Sequence, residues 1–134
     1  MVNFTIKNMS DLLYDRLSKI KDFNDKETET TLNNPTTTSI FPRRLIHTPL
    51  EYIEKTKQAI PLRKRFQVTI EHWASKQREL MEMSNNTDLE LQKLNFVKTT
   101  PSPILYDDIT KKYRLSNTYE VKYNAIFNTF EFIR

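Results

Sequence analysis

The chain contains no glycine and no cysteine in 134 residues. An average sequence of this length holds about nine glycines. Without them there is no Walker loop, no G-x-G-x-x-G turn and no G-x-S-x-G elbow, because each needs backbone conformations that a Cβ resists. Type I′ hairpin turns also become harder, which argues against long β-meanders. The missing cysteine removes thiol nucleophiles, disulfides and thiolate metal sites together. Histidine is scarce too. His47 and His72 cannot build a metal centre alone, and Glu71-His72 lacks the H-x-x-x-H spacing that sets two imidazoles on one helical face. No apolar run approaches the ~18 residues of a membrane span. The opening MVNFTIKNMSDLLYDRL carries Asp11 and Asp15 where a signal or transit peptide is free of acid.

What is present reads as one small domain with a modest core. Hydrophobic residues make up 37%, below the globular norm, and charged residues 28%. Val2, Phe4 and Ile6 alternate with polar residues as in a short strand; Ser10 then suits an N-cap, with Leu13, Leu17 and Ile20 on one helical face. The run 24–39 holds six threonines and three asparagines and predicts a linker or mobile loop. Thr48-Pro49-Leu50-Glu51 fits a capping box with proline at the first helical position. Pro61 then opens a helix over about 62–83, with Leu62, Phe66, Ile70 and Trp73 on its buried face. Thr87-x-x-Glu90 is a second capping box, and Ser102-Pro103 a further helix start. The last segment, YEVKYNAIFNTFEFIR, fits either a helix over 118–128 with an extended end, or strands through Val121, Tyr123, Phe130 and Phe132. The sum is a mainly α fold: a bundle of four to five helices with short extended or β-like termini.

Leu13-Tyr14-Asp15-Arg16 with Phe23 resembles the opening of the small mitochondrial LYR proteins, with Asp15 in place of that family's arginine. The likeness spans under a tenth of the chain, and no function is carried over from it.

The candidate contact residues are basic. Residues 43–78 hold nine Lys or Arg against three Glu, whereas the remainder holds twelve basic and fourteen acidic residues. The whole +4 excess therefore lies in that third of the chain. Arg63, Lys64, Arg65, Lys76 and Arg78 read as the solvated face of the long helix, able to meet an acidic partner or phosphates. Phe41 with Arg43 and Arg44 reads as an extended arm of the residue types found at interface hot spots. Asp107-Asp108 needs no chemistry, since adjacent helical side chains diverge by about 100° and the first turn of a helix favours Asp.

These features point to a non-catalytic small subunit or adaptor of a larger intracellular, eukaryotic-type assembly, nuclear by preference. Its partners are other protein subunits, with no cofactor, metal, membrane or small-molecule substrate. The competing readings are a small basic nucleic-acid-binding module and a mitochondrial ribosome-type structural component.

Overall fold

The computed structural model describes residues 4–20, 29–32, 41–53, 63–100 and 102–133. Among them the helical bundle gives way to a mainly β architecture of eight strands and two helices. In chain order these are α1 (Ile6–Ser18), β1 (Glu29–Thr31), β2 (Arg43–Ile46), β3 (Leu50–Ile53), β4 (Arg63–Ala74), α2 (Gln77–Gln92), β5 (Val97–Thr100), β6 (Leu105–Asp107), β7 (Lys112–Asn124) and β8 (Thr129–Glu131).

The expected helix over 62–83 is instead a twelve-residue strand, a turn and then α2. The period decides it. Leu62, Phe66, Ile70 and Trp73 fit a helix, but Val68 fits only an alternation. In the structure Phe66, Val68 and Ile70 are buried on one face, while Arg65, Gln67 and Thr69 lie on the other. Branched Val68, Thr69 and Ile70 in succession favour the pleated backbone. Trp73 falls on the face opposite Phe66, so the helical stripe joined residues that point apart.

β4 pairs antiparallel with β7 over the full length of β4, from Arg63 opposite Asn124 to Ala74 opposite Tyr113. The free edge of β4 takes β2 opposite Trp73–Ile70 and β3 opposite Gln67–Lys64. The expected capping box at Thr48 thus lies between two strands, where Pro49 has no N–H to continue the ladder. β1 adds parallel to β2 at the outer edge. The other edge of β7 takes β6, β5 and β8 one after another. Of the expected linker over 24–39, Glu29–Thr31 form β1 and most of the rest lies outside the described residues, as do the strand positions before Phe4.

Both helices pack on the face that carries Phe66, Val68 and Ile70. α1 starts at Thr5 rather than Ser10: its hydroxyl accepts from the Asn8 N–H at 3.1 Å, and the Asn8 side chain accepts from the Thr5 N–H at 2.9 Å. Met9, Leu13 and Leu17, four residues apart, are fully buried against Phe66, Tyr119, Val121, Tyr123 and Leu91. Each such large side chain contributes about 1.5–3 kcal/mol on burial. A smaller cluster joins Leu80 and Met83 of α2 to Ala74 and Leu115. Thr87, read as a helix cap, sits inside α2.

The hairpins are where the absence of glycine misleads. Asn95, Lys111 and Asn128 have φ of 67°, 59° and 51°, so they occupy the left-handed positions that glycine usually fills. Asn95 follows α2, where the Phe96 N–H returns to the Leu91 carbonyl at 3.1 Å and closes the helix end. Lys111 and Asn128 end the β6–β7 and β7–β8 turns, letting β7 carry a strand on either side of each turn. The aromatic C-terminal segment is therefore strand, hairpin and strand rather than helix.

Candidate interaction site

The strand period redistributes every basic residue named above. Arg63 and Arg65 are exposed on the face of the sheet away from the helices, and Lys64 between them points inward. Its ammonium meets Glu51 at 2.6 Å and donates to the Phe4 carbonyl at 2.9 Å, tying β3 and β4 to the start of α1. Lys76 and Arg78 are exposed at the start of α2, beyond the other end of β4. A twelve-residue strand spans roughly 40 Å, so the two groups do not form one patch. At that far end Phe41 lies 6.3 Å from Trp73, with Lys112 over Phe41 and Arg114 over Trp73 at 5.4 and 5.8 Å. Arg43 is buried beside them, opposite Trp73.

Arg44 is fully buried and turned toward α2. Its Nε donates to Thr87 Oγ1 at 2.8 Å and its Nη2 to the Met83 carbonyl at 3.3 Å. His72, opposite Arg44 across β2 and β4, is also fully buried. Its Nδ1 is 3.1 Å from the Leu115 carbonyl and its Nε2 is 2.8 Å from Thr87 Oγ1. A carbonyl only accepts, which assigns the imidazole proton to Nδ1 and leaves Nε2 an acceptor for the Thr87 hydroxyl, whose single proton it shares with the Met83 carbonyl at 3.0 Å. The chain of donors runs Arg44, Thr87, His72, Leu115. Burial first, and then the Arg44 charge, hold His72 neutral by lowering its pKa to about 3. One turn along α2, the Asn117 amide donates to Ser84 Oγ at 2.7 Å. Next to it the Tyr119 hydroxyl donates to Asp88, whose other oxygen takes Lys98 at 2.8 Å. Burial, and then the bond to Asp88, push the Tyr119 pKa upward, so this phenol keeps its proton. The seam beneath α2 is thus polar along Ser84, Thr87 and Asp88. The sequence signal for it is three polar residues spaced as one helical face between Met83 and Leu91.

The exposed feature that stands out is the β7–β8 tip, residues 125–128. Asn124 Oδ1 accepts from the backbone N–H of Ile126 and Phe127 at 3.0 and 3.4 Å, while its amide donates to Glu131 at 3.0 Å. The Tyr123 hydroxyl donates to Asn128 across the turn. A tip fixed from both sides holds Ile126 and Phe127 in solvent at 56% and 72% exposure. Around it stand Arg63, opposite Asn124, and Arg65, directly opposite Lys122. Arg65 stacks on the exposed Tyr52 ring at 5.0 Å. Two like charges facing each other across a ladder cost stability, and an anion offsets that cost. Sequence reasoning named Arg63 and Arg65 but not the tip. The signal was N-x-x-x-N, an Asx turn closed by a residue tolerant of positive φ.

The β6–β7 turn is built the same way. Asp107 accepts from Thr110 N and Oγ1 at 2.8 and 2.6 Å, which holds its carboxyl below the usual range. The Asp107-Asp108 pair therefore belongs to the turn between β6 and β7 and not to a helix start. Among the described residues no three His, Asp or Glu side chains gather as a metal site, and no helix is long and apolar enough to cross a membrane.

Compared with models of known protein families and with curated proteins, the chain matches none.

Proposed function

We propose that the protein is a small adaptor subunit, and that it docks a protein partner through the β7–β8 tip and its basic flank. The observation that carries this reading is the pairing of a turn held by hydrogen bonds with the exposure of Ile126 and Phe127. A turn ordered before contact loses little conformational freedom when it binds. The flank favours a protein partner: Arg63, Arg65, Tyr52 and Phe127 are the residue types concentrated at interface hot spots. Charge complementarity calls for an apolar groove rimmed with Asp or Glu. The test compares companions recovered with the wild-type chain and with Ile126→Ser/Phe127→Ser. Partners lost from that variant, and kept by the α2 variant Met81→Ser/Leu89→Ser, support tip docking. An unchanged set of companions refutes it.

A second reading is supported by Arg65 on Tyr52 together with Lys122, Lys112 and Arg114 along the outer sheet face: a surface for single-stranded nucleic acid. Binding that weakens steeply with salt, and whose salt slope falls in Arg65→Ala, supports it. Absence of binding at about 50 mM salt removes it.

A further inference from the structure

Along the outer edge of β7 the ladder passes from β8, where Glu131 faces Lys122, to β5, where Val97 faces Glu120. At this junction, beside the second half of α2, a cleft of about 450 Å³ opens to solvent. Sites for small ligands fall between about 300 and 1,000 Å³. Phe96, Val97 and the exposed Phe132 make the apolar walls. The floor is the Tyr119–Asp88–Lys98 chain, and Gln92 stands one helical turn beyond Asp88.

The hydrogen-bond inventory sets the polarity of what fits. Asp88 already accepts on both oxygens, from Tyr119 and from Lys98. An incoming cation meets the Lys98 ammonium, the more exposed partner of that ion pair. Lys98 uses one of its three N–H groups on Asp88, and the Gln92 amide brings two more donors to the same mouth. The charge presented at the mouth is therefore the Lys98 ammonium, set beside aromatic and aliphatic walls. We propose that this cleft binds an apolar carboxylate, its head group on Lys98 and Gln92 and its body between Phe96, Val97 and Phe132.

Such a carboxylate has two sources: a free aryl or branched-alkyl acid, or the C-terminus of a peptide ending in an apolar residue. The outer edge of β5 suits the second, because Lys98, Thr99 and Thr100 are exposed there and an extended chain pairs with such an edge.

The experiment is an NMR titration of the full chain with 3-phenylpropionate, 3-phenylpropionamide and benzylammonium. A tetrapeptide ending in phenylalanine is added with a free and with an amidated C-terminus. Shifts confined to Phe96–Lys98, Tyr119 and Phe132 are expected with the acids. Binding should fall about tenfold for the amide, and about tenfold in Lys98→Gln, as a charged hydrogen bond is lost. Phe132→Ala, on an exposed side chain, should weaken binding severalfold without unfolding the chain. If the free-acid peptide binds more tightly than 3-phenylpropionate and also shifts the Thr99 and Thr100 amides, the source is a peptide terminus; the reverse order identifies a free acid. Equal binding of acid and amide, preference for benzylammonium, or no shift at about 10 mM acid overturns the proposal.

Discussion

Acid should weaken this fold through one residue, His72. In the folded chain its pKa is lowered to about 3, against 6.5 for a free imidazole, mainly because the ring is buried and secondarily because Arg44 is close. The unfolded chain therefore binds a proton below pH 6.5 that the folded chain refuses until about pH 3. Over that window the unfolded state carries more protons, so stability rises with pH and is lost as pH falls. Each pH unit is worth about 1.4 kcal/mol, which gives a loss of about 2 kcal/mol between pH 7 and pH 5. Most carboxylates titrate below that range, so the slope isolates the histidine. The assay is urea unfolding at pH 7, 6 and 5. His72→Asn should start less stable and change by under about 0.5 kcal/mol over the same range. A wild-type curve equally flat from pH 7 to 5, or a His72→Asn curve as steep as wild type, refutes the assignment of a neutral, Nδ1-protonated His72.

Further expectations rest on the seam, the turns and the flank. Thr87→Val keeps the shape but removes the hydroxyl between Arg44 and His72, and should cost about 2–4 kcal/mol; Thr87→Ser should restore most of it, both read by denaturant midpoint. Lys111→Gly relieves a left-handed non-glycine residue and should gain up to about 1 kcal/mol, whereas Asn95→Val should cost about 1–2 kcal/mol in the same assay. Arg65→Glu faces Lys122 with the opposite charge, so its stability should stay within about 0.5 kcal/mol of wild type or rise, while partner binding falls.

The helical reading failed for reasons that particular residues make plain. Leu62, Phe66, Ile70 and Trp73 satisfy a 3.6-residue period, and the alternation that wins is visible only when Val68 is counted. Asn and Lys can take left-handed positions, so a chain without glycine still turns tightly at Asn95, Lys111 and Asn128. Thr48-Pro49-Leu50-Glu51 and Thr87-x-x-Glu90 match capping boxes, yet pairing of Leu50 and Glu51 with β4 and of Thr87 with the Arg44–His72 seam overrides them. What survived was local: a buried stripe at Leu13 and Leu17, and the exposure of Arg63 and Arg65. The burial of Arg44 and Lys64 was not readable locally, because their partners Thr87, Met83, Glu51 and Phe4 lie far away in sequence.

Docking through the β7–β8 tip is tested most directly by placing a photo-crosslinking phenylalanine analogue at position 127, and separately at exposed position 89 on α2, in the native cell. A discrete protein adduct at 127 that is absent at 89, and lost when Arg63 and Arg65 are changed to Glu, is the expected result. No adduct at 127, or the same adducts at both positions, contradicts it.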